Sequence, residues 1–315
     1  MSIELSTVTG TEGATSALAS GAVTPRRYAL RFGDAADTPA LIQAFRRMVR
    51  GLEFDVCEMA VTTYLCANAY GKPFTALPVF PVRGLHHGAI VRSAAGARSP
   101  KDIEGRKVGV SRGYTVTTGV WARGILQDEY GVDLNRVTWV LSGDEHVAEY
   151  RPPANVVPVE RGGDLTEMVA SGELAAGIGV AGRPGLTPLI ADAEEAAYAS
   201  LRERGLYPIN HLVVVRDDLL RAHPGLAADL FAAFAEAKER YVERLRSGGP
   251  AEPAPADLMY RRVMAVTGAD PLPYGIAPNR AMLEQLVRHA VSQRILGRAP
   301  AVEELFPEST HHLTG

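Results

Sequence analysis

Eight histidines carry the first chemical signal: His86, His87, His146, His211, His223, His289, His311 and His312. None forms an H-x-x-x-H or H-E-x-x-H pair, so no helical metal-ligand spacing is present in the sequence. His311 and His312 stand in the terminal segment, His289 on a charged helix face, and His223 beside Pro224 at a helix start. His86, His87, His146 and His211 fall at the ends of extended segments, where α/β proteins build their ligand clefts. Histidine suits proton transfer because its ordinary pKa lies near working pH. A metal site assembled from these four in three dimensions stays open. The plainer expectation is that no metal is bound.

Two arginines carry the second signal. Arg83 lies three residues before His86. Arg112 stands between a strand and a helix and is followed by Tyr114, Thr115, Thr117 and Thr118. Free amides and hydroxyls at a helix N-terminus attract anions, and arginine adds a two-pronged carboxylate clamp. The alternative is a solvated arginine and an ordinary threonine cap. Residue type and loop position together favour a carboxylate site.

Other motifs are weaker. Gly177-Ile178-Gly179-Val180-Ala181-Gly182 fits G-x-G-x-x-G, yet a dinucleotide site needs a helix to open there. Arg183-Pro184-Gly185-Leu186-Thr187-Pro188 reads as a loop instead. There is no Walker-type Gly-Lys-Ser/Thr, no G-x-S-x-G and no Cys-x-x-Cys. Cys57 and Cys66 read as small packed hydrophobes, and two cysteines exclude a disulfide framework.

The elements that must position these residues alternate short apolar runs with amphipathic stretches, which is an α/β pattern. Strands are expected at 3–8, 54–56, 107–110, 137–141, 176–180 and 212–215. A helix should start at Thr38, as its cap, with Pro39 in the first turn and Leu41, Phe45, Met48 and Leu52 at helical spacing. Another should run from Thr117 to Tyr130, closed by Gly131. Helix dominates after Pro224, interrupted by a Gly/Pro-rich loop at 248–255. A middle α/β section, 89–206, is bracketed by extended segments. The C-terminal part has too few strands for a third domain and should fold back onto the first. This gives one lobe from 1–88 and 207–315, and a second from 89–206, with two crossings near 85–91 and 206–213.

Composition bounds the partners. The chain has 315 residues, 46% hydrophobic and 22% charged, with 33 Lys+Arg against 36 Asp+Glu and a net charge of -3. That near-balance argues against nucleic acid. No apolar stretch approaches the ~18 residues of a membrane span, and the first residues lack a signal-peptide pattern. A cytoplasmic protein acting on a small molecule is expected. A homo-oligomer stays open.

Several strings then point to a family. They are Glu53-Phe54-Asp55-Val56-Cys57-Glu58-Met59, Pro78-Val79-Phe80-Pro81-Val82-Arg83 with His87, and Gly105-Arg106-Lys107-Val108-Gly109-Val110. Val120-Trp121-Ala122-Arg123-Gly124-Ile125-Leu126, Gly205-Leu206-Tyr207-Pro208-Ile209-Asn210-His211 and Asp270-Pro271-Leu272-Pro273-Tyr274-Gly275-Ile276 complete the set. With them the chain resembles the 4,5-dihydroxyphthalate decarboxylase family, whose fold is that of type 2 periplasmic binding proteins. The resemblance implies two hinged α/β lobes around a central cleft for an aromatic acid. One loop departs from it. Thr11-Glu12-Gly13-Ala14-Thr15-Ser16 stands where the family carries more charged residues, so different ring substituents are compatible with the sequence.

The implied chemistry is decarboxylation of a hydroxylated aromatic dicarboxylate without a cofactor. Arg83, Arg112, Tyr114, Thr115, Thr117 and Thr118 would hold carboxylates, with Gly10, Thr11, Glu58, Met59 and Asn210 completing the binding set. His87 is the first choice as proton donor, His211 the second and His146 the third. Glu58 or Glu145 would orient a histidine. Two alternatives remain: a solute-binding protein of an importer, and a binding-protein-like enzyme of the alternative menaquinone route.

Overall fold

The structure is a computed structural model that describes residues 3–33, 37–180 and 182–315. The chain begins with β1 (Ile3–Val8), α1 (Ser16–Ala19), β2 (Tyr28–Phe32), α2 (Thr38–Gly51), β3 (Val56–Ala60), α3 (Val61–Ala69) and β4 (Phe74–Arg83). Its middle runs through β5 (Ile90–Arg92), β6 (Lys107–Val110), α4 (Thr117–Tyr130), β7 (Thr138–Leu141), β8 (Val156–Pro158), α5 (Leu165–Ser171), β9 (Ala176–Ile178), β10 (Thr187–Pro188) and α6 (Ala193–Arg204). It ends with β11 (Ile209–Arg216), α7 (Asp217–Ala222), α8 (Leu226–Arg246), α9 (Pro255–Thr267) and α10 (Arg280–Ser292).

The first sheet has the order β2-β1-β3-β11-β4. β1 runs parallel to β2 and β3, whereas β11 is antiparallel to both β3 and β4. The second has the order β10-β5-β9-β6-β7-β8, parallel from β9 to β8 and antiparallel where β5 meets β9 and β10. Val213, Val214 and Val215 of β11 are fully buried, as a central strand covered on both faces requires.

Local signals account for most boundaries. α2 buries Leu41, Ala44, Phe45, Met48 and Val49 on one stripe. Its cap is Asp37, whose carboxylate accepts from the Ala40 amide at 2.8 Å; Thr38, the expected cap, is already helical. Gly131 closes α4 with φ +64°, as expected. β3 begins at Val56 and extends to Ala60, which turns Glu58 and Met59 into strand residues. The glycine motif behaves as a loop. β9 ends at Ile178, and Gly179 turns the chain with φ +66° and donates its amide to the Ala89 carbonyl at 2.9 Å. Among the described residues no helix opens between Gly182 and Pro188; Ala181 lies outside them.

The chain divides into two units, Met1–Gly84 with Ile209–Gln285 and Pro300–Gly315, and Leu85–Pro208 with Leu286–Ala299. The pattern of strands alone assigns all of 207–315 to the first unit. The end of α10 packs with the second because of polar contacts that periodicity does not reveal. Arg123 Nε donates to Gln293 Oε1 at 2.8 Å, and Gln293 Nε2 donates to the Val120 carbonyl at 2.9 Å. The His289 ring stands edge-on to Trp121 with centroids 5.5 Å apart. Among the described residues no helix is long and apolar enough to cross a membrane.

Two outcomes are expected from this contact. A Cβ on Gly124 would lie 2.5 Å from His289 Nε2. Gly124→Ala should therefore lower stability by about 1–3 kcal/mol in denaturant unfolding, despite alanine's better helix propensity. His289 also makes stability depend on pH. Burial pushes its pKa down, against the opposing charge of Asp128. The unfolded histidine takes up a proton near pH ~6.5 while the folded one stays neutral. Its contribution is complete above that pH and declines below it. His289→Phe should flatten the fall in stability between about pH 6.5 and 5.

Candidate active site

Glu58 and His211 meet across the β3–β11 ladder. Glu58 is in register with Val213, and His211 with Ala60, so the two are diagonal neighbours on one face. His211 Nδ1 lies 2.6 Å from Glu58 Oε1. The Gly10 amide, just past the end of β1, donates to Glu58 Oε2 at 2.8 Å. The Glu58 side chain is 2% exposed, so both of its oxygens are satisfied by protein rather than water. A carboxylate only accepts, which places the proton on Nδ1 and leaves Nε2 for chemistry. The edge of Phe45 or of the imidazole itself completes the support, with ring centroids 5.2 Å apart and planes near perpendicular.

The neighbouring strand explains how His211 is aimed. In the β11–β4 ladder Ile209 faces Arg83 and His211 faces Val82, so Asn210 is an extra residue. Two residues further on, Val213 faces Leu77, so β4 bulges between Leu77 and Val82. Pro78 and Pro81 lie in that bulge and have no amide to give to a ladder. Irregular pairing thus flanks His211 on both sides, a common way to re-aim a side chain.

His211 and Glu58 line a cavity of about 790 Å³ within the first unit, together with Gly10, Thr11, Tyr260 and Arg244. That volume lies in the range of small-molecule sites. Its charge is mostly negative, since Glu12, Asp37, Glu252 and Asp257 also line it. The Tyr260 hydroxyl accepts the Arg83 backbone amide at 3.2 Å. Burial pushes the Tyr260 phenol up to about 12, so it remains a neutral hydroxyl.

The other expected residues are spread more widely. Met59 is fully buried in register with Leu212, and Asn210 is half-buried in the bulge. Arg83 is buried and its Nη2 donates to Asn279 Oδ1, so its guanidinium is engaged inside the first unit and does not line the cavity.

The loop before α4, in the second unit, does hold an anion, and the anion is the protein's own. The amides of Tyr114 and Thr115 donate to Glu145 Oε1 and Oε2, at 2.5 and 3.1 Å, and the Thr115 hydroxyl donates to Oε2 at 2.6 Å. Gly113 makes this approach feasible, because a Cβ there would sit 2.7 Å from Oε2. Arg112 begins the loop with φ +69° and donates its amide to Ser142 Oγ at 2.8 Å; burial lowers its guanidinium pKa. Thr117 is buried in the first turn of α4, Thr118 is half-buried, and His146 is buried beside Glu145 in sequence. Arg123, which the sequence did not mark as functional, supports the loop from beneath. It is fully buried, donates Nη2 to the Tyr114 carbonyl at 2.6 Å, and lies 3.8 Å from the centre of the Tyr114 ring. A lone arginine inside the apolar run Val120–Leu126 was the available signal.

His87, first choice from the sequence, belongs to a different cluster of the second unit. It is 1% exposed, with Nε2 3.0 Å from Glu129 Oε2. Ser200 Oγ donates to Glu129 Oε1 at 2.8 Å, and Arg204 lies 3.3 Å from the same oxygen. Burial pushes the Glu129 carboxyl up, but the hydrogen bonds from His87 and Ser200 outweigh it and hold the pKa below the ordinary value. His211 is the candidate that combines a carboxylate partner with a place on a cavity wall. Among the described residues no group of three or more His, Cys, Asp or Glu side chains is placed to hold a metal ion.

Comparison with solved structures defines the class first. The aliphatic sulphonate binding protein SsuA from Escherichia coli superposes with a TM-score of 0.56 at 12% identity, over 100% of this chain and 94% of that one. A Candida albicans protein described as having the generic periplasmic binding protein fold gives 0.54 at 12% identity, over 100% and 99%. The chain has the periplasmic-binding-protein fold. By sequence it is similar to the 4,5-dihydroxyphthalate decarboxylases. That of Comamonas testosteroni is 29% identical over 283 residues, which cover 84% of this chain and 85% of the relative. That of Pseudomonas putida is 34% identical over 172 residues, covering 49% of this chain and 66% of the relative. No family model matches the chain.

The internal anion of the second unit has a measurable consequence. Glu145→Ala removes the acceptor of two amides and a hydroxyl, and should lower stability by about 1–3 kcal/mol in thermal or denaturant unfolding. Glu145→Gln, which keeps one carbonyl acceptor, should cost less.

Proposed function

We propose that the chain is a carboxy-lyase acting on a hydroxylated aromatic dicarboxylate such as 4,5-dihydroxyphthalate, with protocatechuate and CO2 as products. The observation that carries the proposal is the His211–Glu58 pair on the wall of a cavity of ligand size. The names of both relatives support the substrate class. In this reading the protein works in the cytoplasm, in the breakdown of phthalate-type acids.

The reaction needs one proton delivered to one carbon. His211 enters the step as the imidazolium, protonated on both nitrogens. The ring carbon bearing a carboxylate takes the proton from Nε2, using a π pair of the ring to form the C–H bond and leaving His211 neutral with its proton on Nδ1. The hydroxyl para to that carbon stabilises the dearomatised cation. The bond to the carboxylate then breaks, its electron pair restores the aromatic ring, and CO2 departs. His211 recovers its proton from water. Glu58 holds the ring by Nδ1 and stabilises the imidazolium, while the Gly10 amide fixes Glu58. These steps call for no cofactor.

A second reading keeps the cavity without turnover. The SsuA neighbour is a binding protein, and the same fold suits a receptor for an organic acid. Release of CO2 separates the two. Purified protein should convert 4,5-dihydroxyphthalate, and His211→Gln should lower kcat by about 10²–10⁴-fold while affinity is largely kept. Tight binding without any CO2 release would favour the receptor. Conversion at full rate by His211→Gln would remove His211 from the mechanism.

A further inference from the structure

The cavity lining poses a problem for a substrate with two negative charges. Glu12, Asp37, Glu58, Glu252 and Asp257 all contribute carboxyl groups. Arg83, the cation expected from the sequence to meet a carboxylate, is turned to Asn279. Among the described residues that line the cavity, the Lys/Arg set is a single side chain, Arg244. It sits on the last turn of α8, exposed, with its guanidinium carbon 5.5 Å from the centre of the Tyr241 ring. An aromatic face supports a guanidinium while leaving its in-plane N–H donors for another acceptor. Tyr241 is itself fixed, since its hydroxyl donates to Asp257, which also accepts the Ala254 amide at 2.9 Å. A cation on a rigid ring, facing a cavity with five carboxyl groups in its lining, defines the place where an anionic group is stabilised.

We infer that Arg244 is the specificity-determining residue that receives the carboxylate retained in the product. The inference rests on the reading of this cavity as the site of an aromatic dicarboxylate. The assignment to the retained group follows from differential binding. A strong ion contact to the departing carboxylate would stabilise the ground state and be lost as CO2 forms, which slows the step. A contact to the carboxylate that stays is kept throughout, so it anchors the ring and presents the other carboxylate-bearing carbon to His211. Arg244 thereby selects ring acids that carry a second carboxylate.

The test uses the full chain and three probes: phthalate, protocatechuate and catechol. Protocatechuate keeps only the carboxylate assigned to Arg244, and catechol keeps none. Arg244→Gln should weaken phthalate and protocatechuate by a similar factor, about 10–100-fold, the size of a charge-assisted contact. Catechol affinity should change by less than about twofold. Arg244→Lys should recover part of the loss. Arg246→Gln, an exposed arginine two residues on that lies outside the cavity and 3.7 Å from Glu243, should bind all three as the parent does. If the parent binds phthalate and protocatechuate and Arg244→Gln binds both equally well, the inference is wrong and the proposed function survives. Weakening of phthalate with protocatechuate unchanged also overturns it, because Arg244 then contacts the departing group. A parent protein that binds neither acid removes the proposed function, and this inference with it.

Discussion

A buried carboxylate is costly unless every acceptor site is used, and Glu58 is such a group. One oxygen takes the Gly10 amide and the other faces His211. Three segments distant in sequence are therefore tied at one point: the loop after β1, the strand β3 and the return strand β11. The pairing also fixes which nitrogen of His211 carries the proton. Much of the first sheet serves this contact. The proline bulge in β4 and the extra residue in β11 keep the ladder irregular where His211 must face the cavity. Strand alternation turns Met59, the neighbour of Glu58, to the opposite side, where it is core.

The second unit spends its charges differently. The loop before α4 offers amides, a hydroxyl and a helix end, and Glu145 occupies them. Arg123 beneath the loop is a fully buried guanidinium whose pKa is lowered by burial, with the Tyr114 ring and carbonyl as supports. His87 and Glu129 form another buried pair, with Ser200 and Arg204 on the same carboxylate. In each cluster the carboxylate is held by the protein's own donors, while Arg123 Nη1 and His87 Nδ1 are buried without a hydrogen-bond partner among the described residues. In the first unit, by contrast, His211 and Arg244 stand on a cavity wall.

Much of this was legible in the residues. The apolar stripe of α2, the glycine stop of α4 and the valine-rich β11 follow from periodicity and turn chemistry. The strings around Glu58 and His211 carry the family resemblance, which implies a site role for Gly10, Thr11, Glu58 and His211. Their meeting was not legible, because antiparallel pairing across 153 residues leaves no periodic trace. Nearness in sequence to Arg83 favours His87 as the proton donor, yet the two side chains find different partners, Glu129 and Asn279. The residue types of the loop at Tyr114 suggest a carboxylate site for a ligand, whereas the carboxylate held there in the structure is that of Glu145, some thirty positions on. Arg244 reads in sequence as an ordinary solvated helix charge, and only the cavity distinguishes it. The short half-exposed β2 and the three-residue β8 carried too little apolar pattern to be seen.

The claim on which the rest turns is that Glu58 acts through His211 as one proton-delivering unit. A double-mutant cycle on kcat measures this directly, with Glu58→Gln, His211→Gln and the double variant assayed for CO2 release from 4,5-dihydroxyphthalate. If the two residues work as a unit, each single variant is slow and the double variant is no slower than His211→Gln alone. Losses that multiply in the double variant would show two independent roles and contradict the pairing as the source of the acid.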